Sequence, residues 1–157
     1  MSEIEKLYRP NVAAIIVSSR YPSVCEIFIA ERNDIKDVWQ FPQGGIDEGE
    51  TSTEALFREL EEEIGTKDVD IVHEYPDWMQ YDFPDRIAKK MHPYSGQKQR
   101  YYLVKLKPGA KINLDTEHPE FKDHKFINYK EVMDYVTYFK RPIYQKVLSF
   151  FREEGYL

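Results

Sequence analysis

With 157 residues, 41% of them hydrophobic and 15% aromatic, the chain is predicted to form one domain (1–157) with a real core, not a disordered segment. A net charge of −6 excludes indiscriminate nucleic-acid binding through overall charge, and the single Cys25 excludes an intramolecular disulfide. No apolar run approaches the roughly 20 residues of a membrane span, the N-terminus MSEIEKLYRP has no signal-peptide core, and no heptad or long apolar edge is evident, so a cytoplasmic monomer is expected.

In chain order, Val12–Ser18 is a short apolar run that reads as a buried strand, and Glu26–Ala30 resumes strand character after a turn at 20–23. Trp39-Gln40-Phe41-Pro42-Gln43 leads into Gly44-Gly45, a pair that permits close backbone approach to a ligand. A helix follows: Thr51 with Glu54 makes a capping box, Ala55, Leu56, Leu60 and Ile64 form one apolar stripe, and Gly65 stops it. Val69–Tyr75 and Trp78–Phe83 alternate as strands, 87–96 reads as a polar, proline-interrupted loop, and Lys98–Leu106 is a strand. After a loop at 113–123, Lys125–Tyr129 is a short strand, Asn128 can cap a helix over Lys130–Tyr135, and Ile143, Val147, Leu148 and Phe151 mark a C-terminal amphipathic helix near Pro142. Strands, helix, strands and then helices, with no βαβ alternation, predict an α+β sandwich.

Off the stripe of the first helix stand Glu59, Glu62 and Glu63. Spacings of i, i+3 and i+4 put them over one another, and like charges so placed destabilise a helix by roughly 0.2–0.5 kcal/mol per pair. A hard divalent cation, Mg²⁺ or Mn²⁺, would relieve that strain, although a glutamate run by itself is more often a solvated acidic face. From Arg86 to Lys111 every formally charged residue is basic, which suits a polyanionic substrate facing an acidic metal site, or else a solvated strand surface. The histidines form no i, i+4 pair, and no serine sits in a Gly-x-Ser-x-Gly elbow, so zinc and serine chemistry find no support.

The stretch GGIDEGETSTEALFRELEEEIGT resembles the Nudix box, G-x5-E-x7-R-E-U-x-E-E-x-G-U, with Gly44, Glu50, Arg58-Glu59, Leu60, Glu62-Glu63 and Gly65 in register and Thr66 departing at the last aliphatic position. The resemblance implies a mixed β-sheet in an α/β/α sandwich and metal-dependent hydrolysis of a nucleoside diphosphate linked to another moiety. Arg9-Pro10-Asn11-Val12, Trp39 to Gly45, Gly96-Gln97-Lys98-Gln99, Pro119-Glu120-Phe121 and Phe139-Lys140-Arg141, in that order, are similar to the bacterial RNA pyrophosphohydrolases, also known as dinucleoside polyphosphate hydrolases. That family implies hydrolysis of the 5′ triphosphate or diphosphate of RNA to a monophosphate, the alternative substrate being a diadenosine polyphosphate. It also implies that Glu59, Glu62, Glu63 and Glu120 hold metal and that Arg9, Arg32, Tyr81 and Lys98 contact phosphate. Phe139 would stack a base and Lys140 would meet an RNA phosphate. Arg58 would orient Glu50 or Glu62, and either Glu62 or Glu120 would serve as the base. Without the resemblance, Glu120 and Arg9 read as surface charges and Phe139 as core.

Overall fold

In the computed structural model, which describes residues 6–136 and 140–157, the chain forms one mixed sheet with helices on both faces. The elements are β1 Leu7–Val17, β2 Ile27–Arg32, β3 Trp39–Gln40, β4 Gln43–Gly45, α1 Ser52–Ile64, β5 Val69–Glu74, β6 Met79–Asp82, α2 Asp85–Lys90, β7 Tyr94–Leu106, β8 Phe121–Ile127, a 3₁₀ helix Tyr129–Asp134 and α3 Arg141–Glu153. The centre is the parallel pair β1–β7, which runs from Leu7 opposite Tyr94 to Val17 opposite Lys105. Around it the order is β3-β2-β1-β7-β5, with β4 paired to β1, β6 to β7 and β8 to β2, all antiparallel.

Both faces of β1 are dry, which explains the unbroken apolar run. Val12, Ala14 and Ile16 meet Phe28, Tyr102, Val104 and the α1 stripe of Ala55, Leu56, Leu60 and Ile64. Ala13, Ile15 and Val17 meet Tyr101, Leu103 and α3 through Ile143, Tyr144, Val147, Leu148 and Phe151. The expected α/β/α sandwich is therefore what forms. The capping box at Thr51 is present in both directions, and a cap stabilises by about 1 kcal/mol. Burying one leucine or isoleucine is worth about 1.5–3 kcal/mol, so the stripe, and not the cap, decides where α1 lies. Gly65 closes the helix at φ 74°, a conformation that favours glycine, with its N–H on the Glu61 carbonyl.

Several boundaries differ from the sequence reading. The expected loop at 87–96 overlaps α2, which starts before it at Asp85 and carries Lys89 and Lys90 in its last turn, an arrangement that suits the helix dipole. The same stretch also contains the start of β7, where Gly96 lies so close to the Tyr81 carbonyl of β6 that a Cβ could not fit. β1 begins at Leu7 and β8 at Phe121, both earlier than expected, because each pairs with a strand distant in sequence. The helix after Asn128 is 3₁₀, with the Asn128 side chain accepting from the Lys130 N–H.

Candidate active site

Two structural features bring the box residues together. The first is Arg58. Its guanidinium donates to both oxygens of Glu50 at 2.8 Å, to Glu59 at 2.8 Å, to Glu62 at 3.2 Å and to the Gly45 carbonyl at 2.8 Å. It thus orients both of the carboxylates between which the sequence left the choice open. The two-pronged bond from Arg58 holds the Glu50 carboxyl down to about 2. The second feature is the glycine pair of β4. A Cβ on Gly44 would occupy the space of the Glu59 carboxyl, and one on Gly45 would strike the Arg9 guanidinium. Neither glycine has a positive φ, so what this strand requires of them is the missing side chain and not unusual backbone freedom.

Beside this strand lies a polar cleft of about 330 Å³, lined by Arg9, Asn11, Arg32, Gln40, Gln43, Gly44, Gly45, Glu59, Glu62, Glu63, Glu120 and Lys140. It brings together residues from β1, β2, β3, β4, α1, the segment before β8 and the N-cap of α3. A larger groove of about 810 Å³ continues along the outer side of α1 and shares Glu59, Glu62, Glu63 and Glu120 with the cleft.

The electrostatics of the cleft follow from burial. Glu63 is 7% exposed and accepts one hydrogen bond, from the Gln43 N–H at 3.2 Å. Burial, and then the nearby charges of Glu59 and Glu120, push its carboxyl well above the usual range. Burial also raises Glu59, against the pull of Arg58. Lys140 is pushed down to about 8 by burial and by Arg32, with Glu63 acting against them. Among the described residues no three carboxylate, histidine or cysteine groups stand as a ready-made metal cage. Arg58 holds Glu59 and Glu62, and the Gln43 N–H holds Glu63. The donor set nevertheless fits a hard divalent cation, since it is all oxygen and includes a carboxyl raised by burial and then by its acidic neighbours.

Arg32 lines the cleft while paired with Asp34 through two bonds of 2.9 and 2.6 Å. Tyr81 and Lys98 are not among the cleft's lining residues. The Tyr81 hydroxyl accepts from Gln97 at 2.6 Å, and the Lys98 ammonium lies 4.9 Å above the Trp78 ring. Lys140 lies inside the cleft and is 8% exposed. Phe139 falls outside the described residues. The sequence reading gave no role to Asn11, Gln40 and Gln43, although Asn11 in phase with Ala13 and Ile15 is a buried amide on a core face, a signal it could have used.

The NUDIX domain family matches residues 7–147. An RNA pyrophosphohydrolase of a Nitratiruptor species is 63% identical over 152 residues, covering 97% of this chain and 98% of that protein. One of Helicobacter pylori is 54% identical over 154 residues, covering 98% and 99%. Among solved structures, the E. coli dihydroneopterin triphosphate pyrophosphohydrolase superposes with a TM-score of 0.68 at 16% identity, covering 90% of this chain and 97% of that one. A C. elegans Ap4A hydrolase binary complex does so with a TM-score of 0.66 at 17% identity, covering 92% and 98%. At such identities these structures speak for the fold alone. The box in register on α1, the helix–sheet–helix architecture and the match over most of its length together establish that this chain belongs to the NUDIX family.

Proposed function

We propose that the protein is an RNA pyrophosphohydrolase that cuts the phosphoanhydride chain at the 5′ end of RNA to leave a monophosphate. The observation that carries this reading is the cleft itself, where Arg9, Arg32 and Lys140 stand with Glu59, Glu62, Glu63 and Glu120 in one polar space. The names of the Nitratiruptor and Helicobacter relatives, which match nearly full length, support it. No helix among the described residues is long and apolar enough to cross a membrane, and the reading includes a cytoplasmic monomer.

Glu59, Glu62, Glu63 and Glu120 would hold Mg²⁺, or Mn²⁺ in its place. Bound there, the cation supplies charge neutralisation and a more acidic water. The chain's own residues do the rest. Arg9, Arg32 and Lys140 bind the phosphate oxygens and offset their charge. Arg58 keeps Glu59 and Glu62 facing the cleft, and Glu62 or Glu120 accepts the proton of the attacking water. Tyr81 and Lys98 would act on substrate parts that extend beyond the cleft.

Glu120→Ala is expected to lower kcat by on the order of 10²-fold, as for loss of a base or a charge-stabilising group, with the thermal midpoint near wild type. An unchanged rate would return Glu120 to the surface. RNA is separated from a small dinucleotide by Phe139→Ala, assayed on 5′-triphosphorylated RNA and on diadenosine tetraphosphate. Stacking worth about 1–3 kcal/mol gives a loss of about 5- to 100-fold in kcat/KM on RNA and a smaller loss on the dinucleotide. Equal losses with a lowered thermal midpoint would assign Phe139 to packing and favour the dinucleotide reading.

A further inference from the structure

Beneath the cleft lies a chain of buried amides that the chemistry above leaves unused. The Lys140 ammonium is 3.4 Å from the Oε1 atoms of both Gln40 and Gln43. The Gln99 amide nitrogen donates to Gln43 Oε1 at 2.9 Å and to Asn11 Oδ1 at 2.8 Å. The Tyr101 hydroxyl donates to Gln99 Oε1 at 2.9 Å. Asn11, Gln99 and Tyr101 are each 1% exposed.

The polarity of this chain is dictated from one end. An ammonium can only donate, so Gln40 and Gln43 must turn their oxygens to Lys140. Gln43 Oε1 then requires a donor from Gln99, which turns the Gln99 oxygen to Tyr101 and makes that hydroxyl the donor. The second N–H of Gln99 faces Asn11, which must answer with its oxygen. The amide nitrogens of Asn11, Gln40 and Gln43 make none of these bonds, and all three residues line the cleft. A flip of Asn11, Gln40 or Gln43 would place donor against donor, and a flip of Gln99 acceptor against acceptor, leaving buried groups unsatisfied.

We propose that Gln99 is a positioning residue: held by Tyr101 and by Lys140-bound Gln43, it turns the N–H groups of Asn11 and Gln43 toward the cleft as a donor-only wall for the substrate's phosphate chain. Neutral donors strengthen the hold on phosphate oxygens without competing with metal for the carboxylates, and they reject groups that present N–H. The inference rests on the cleft taking a phosphate chain, not on which nucleotide carries that chain.

The test compares Gln99→Glu, Gln99→Met and Tyr101→Phe with wild type at saturating Mg²⁺, using 5′-triphosphorylated RNA and diadenosine tetraphosphate. An ionised Glu at position 99 only accepts, so Asn11 must turn its N–H groups inward and its oxygen toward the phosphates, while Gln43 is caught between that carboxylate and the Lys140 ammonium and loses its fixed orientation. Gln99→Glu is expected to raise KM by about 10- to 100-fold on both substrates, with kcat changed less. The loss should shrink as pH falls, because a protonated carboxyl donates again. Gln99→Met and Tyr101→Phe free the amides without reversing them and should raise KM by less. If Gln99→Glu does not fold, these two carry the test. KM within about twofold of wild type in the folded variants, or a fall in kcat or thermal midpoint alone, would assign Gln99 to packing and overturn the proposal. A wild-type enzyme active only on the dinucleotide would remove the RNA reading, while the dinucleotide data still decide the role of Gln99.

Discussion

Glu63→Gln is expected to lower kcat by on the order of 10³-fold on every substrate while leaving the metal-free thermal midpoint unchanged or raised. The two effects have one cause. Glu63 is 7% exposed and lies near Glu59 and Glu120, so its charged form is costly there. Because its carboxyl is raised in the folded protein, the folded state binds the proton more tightly than the unfolded chain. Stability from this group is then fully present below the unfolded value of about 4.5 and falls as pH climbs toward the raised folded value. The amide keeps the shape and the bond from the Gln43 N–H, loses that pH dependence and loses the charge that a divalent cation needs. Melting curves between pH 4 and 8 without metal, and again with Mg²⁺, check both parts. Wild type should gain stability from Mg²⁺ and the variant should gain less. A variant with turnover near wild type would remove Glu63 from the metal site.

Gly44→Ala is expected to cost on the order of 10²- to 10³-fold in kcat with little loss of stability. The added methyl would stand where the Glu59 carboxyl now lies. Gly44 has no positive φ, so the backbone itself accepts alanine. The Glu59 side chain can swing aside at small energetic cost, but only by leaving the position that Arg58 holds at 2.8 Å. Activity thus falls through displacement of a carboxylate while the core on the other side of α1 is untouched. Kinetics paired with a melting curve test this. A large drop in thermal midpoint matching the activity loss would mean that β4 itself had been disrupted.

What was legible in the sequence was what local spacing encodes. The apolar stripe of α1, its caps and the stacking of Glu59, Glu62 and Glu63 follow from a helix of 3.6 residues per turn. The Arg58–Glu50 bond spans eight residues and could be anticipated. What stayed hidden depends on partners far along the chain. The first five residues of β1 and the start of β7 are strand because Leu7 pairs with Tyr94 and Pro10 with Lys98. The polar residues of β8 hold their strand through pairing with β2. The amide wall needs Lys140 beside Gln43, 97 positions away, and neither residue announces the other. Tyr81 and Lys98 lie on adjoining strands in the neighbouring register, but the lining of the cleft does not extend to them.

Hydrolysis at the RNA 5′ end is read from the chemical state of that end after turnover. RNA with a 5′ triphosphate is incubated with wild type and with Glu63→Gln, in Mg²⁺ and in chelator, and both the released phosphates and the RNA end are identified. Wild type in Mg²⁺ is expected to yield a 5′ monophosphate and free phosphate or pyrophosphate, and the other three conditions an essentially intact triphosphate. A triphosphate end left intact by wild type in Mg²⁺, under conditions where diadenosine tetraphosphate is consumed, would contradict the RNA pyrophosphohydrolase reading.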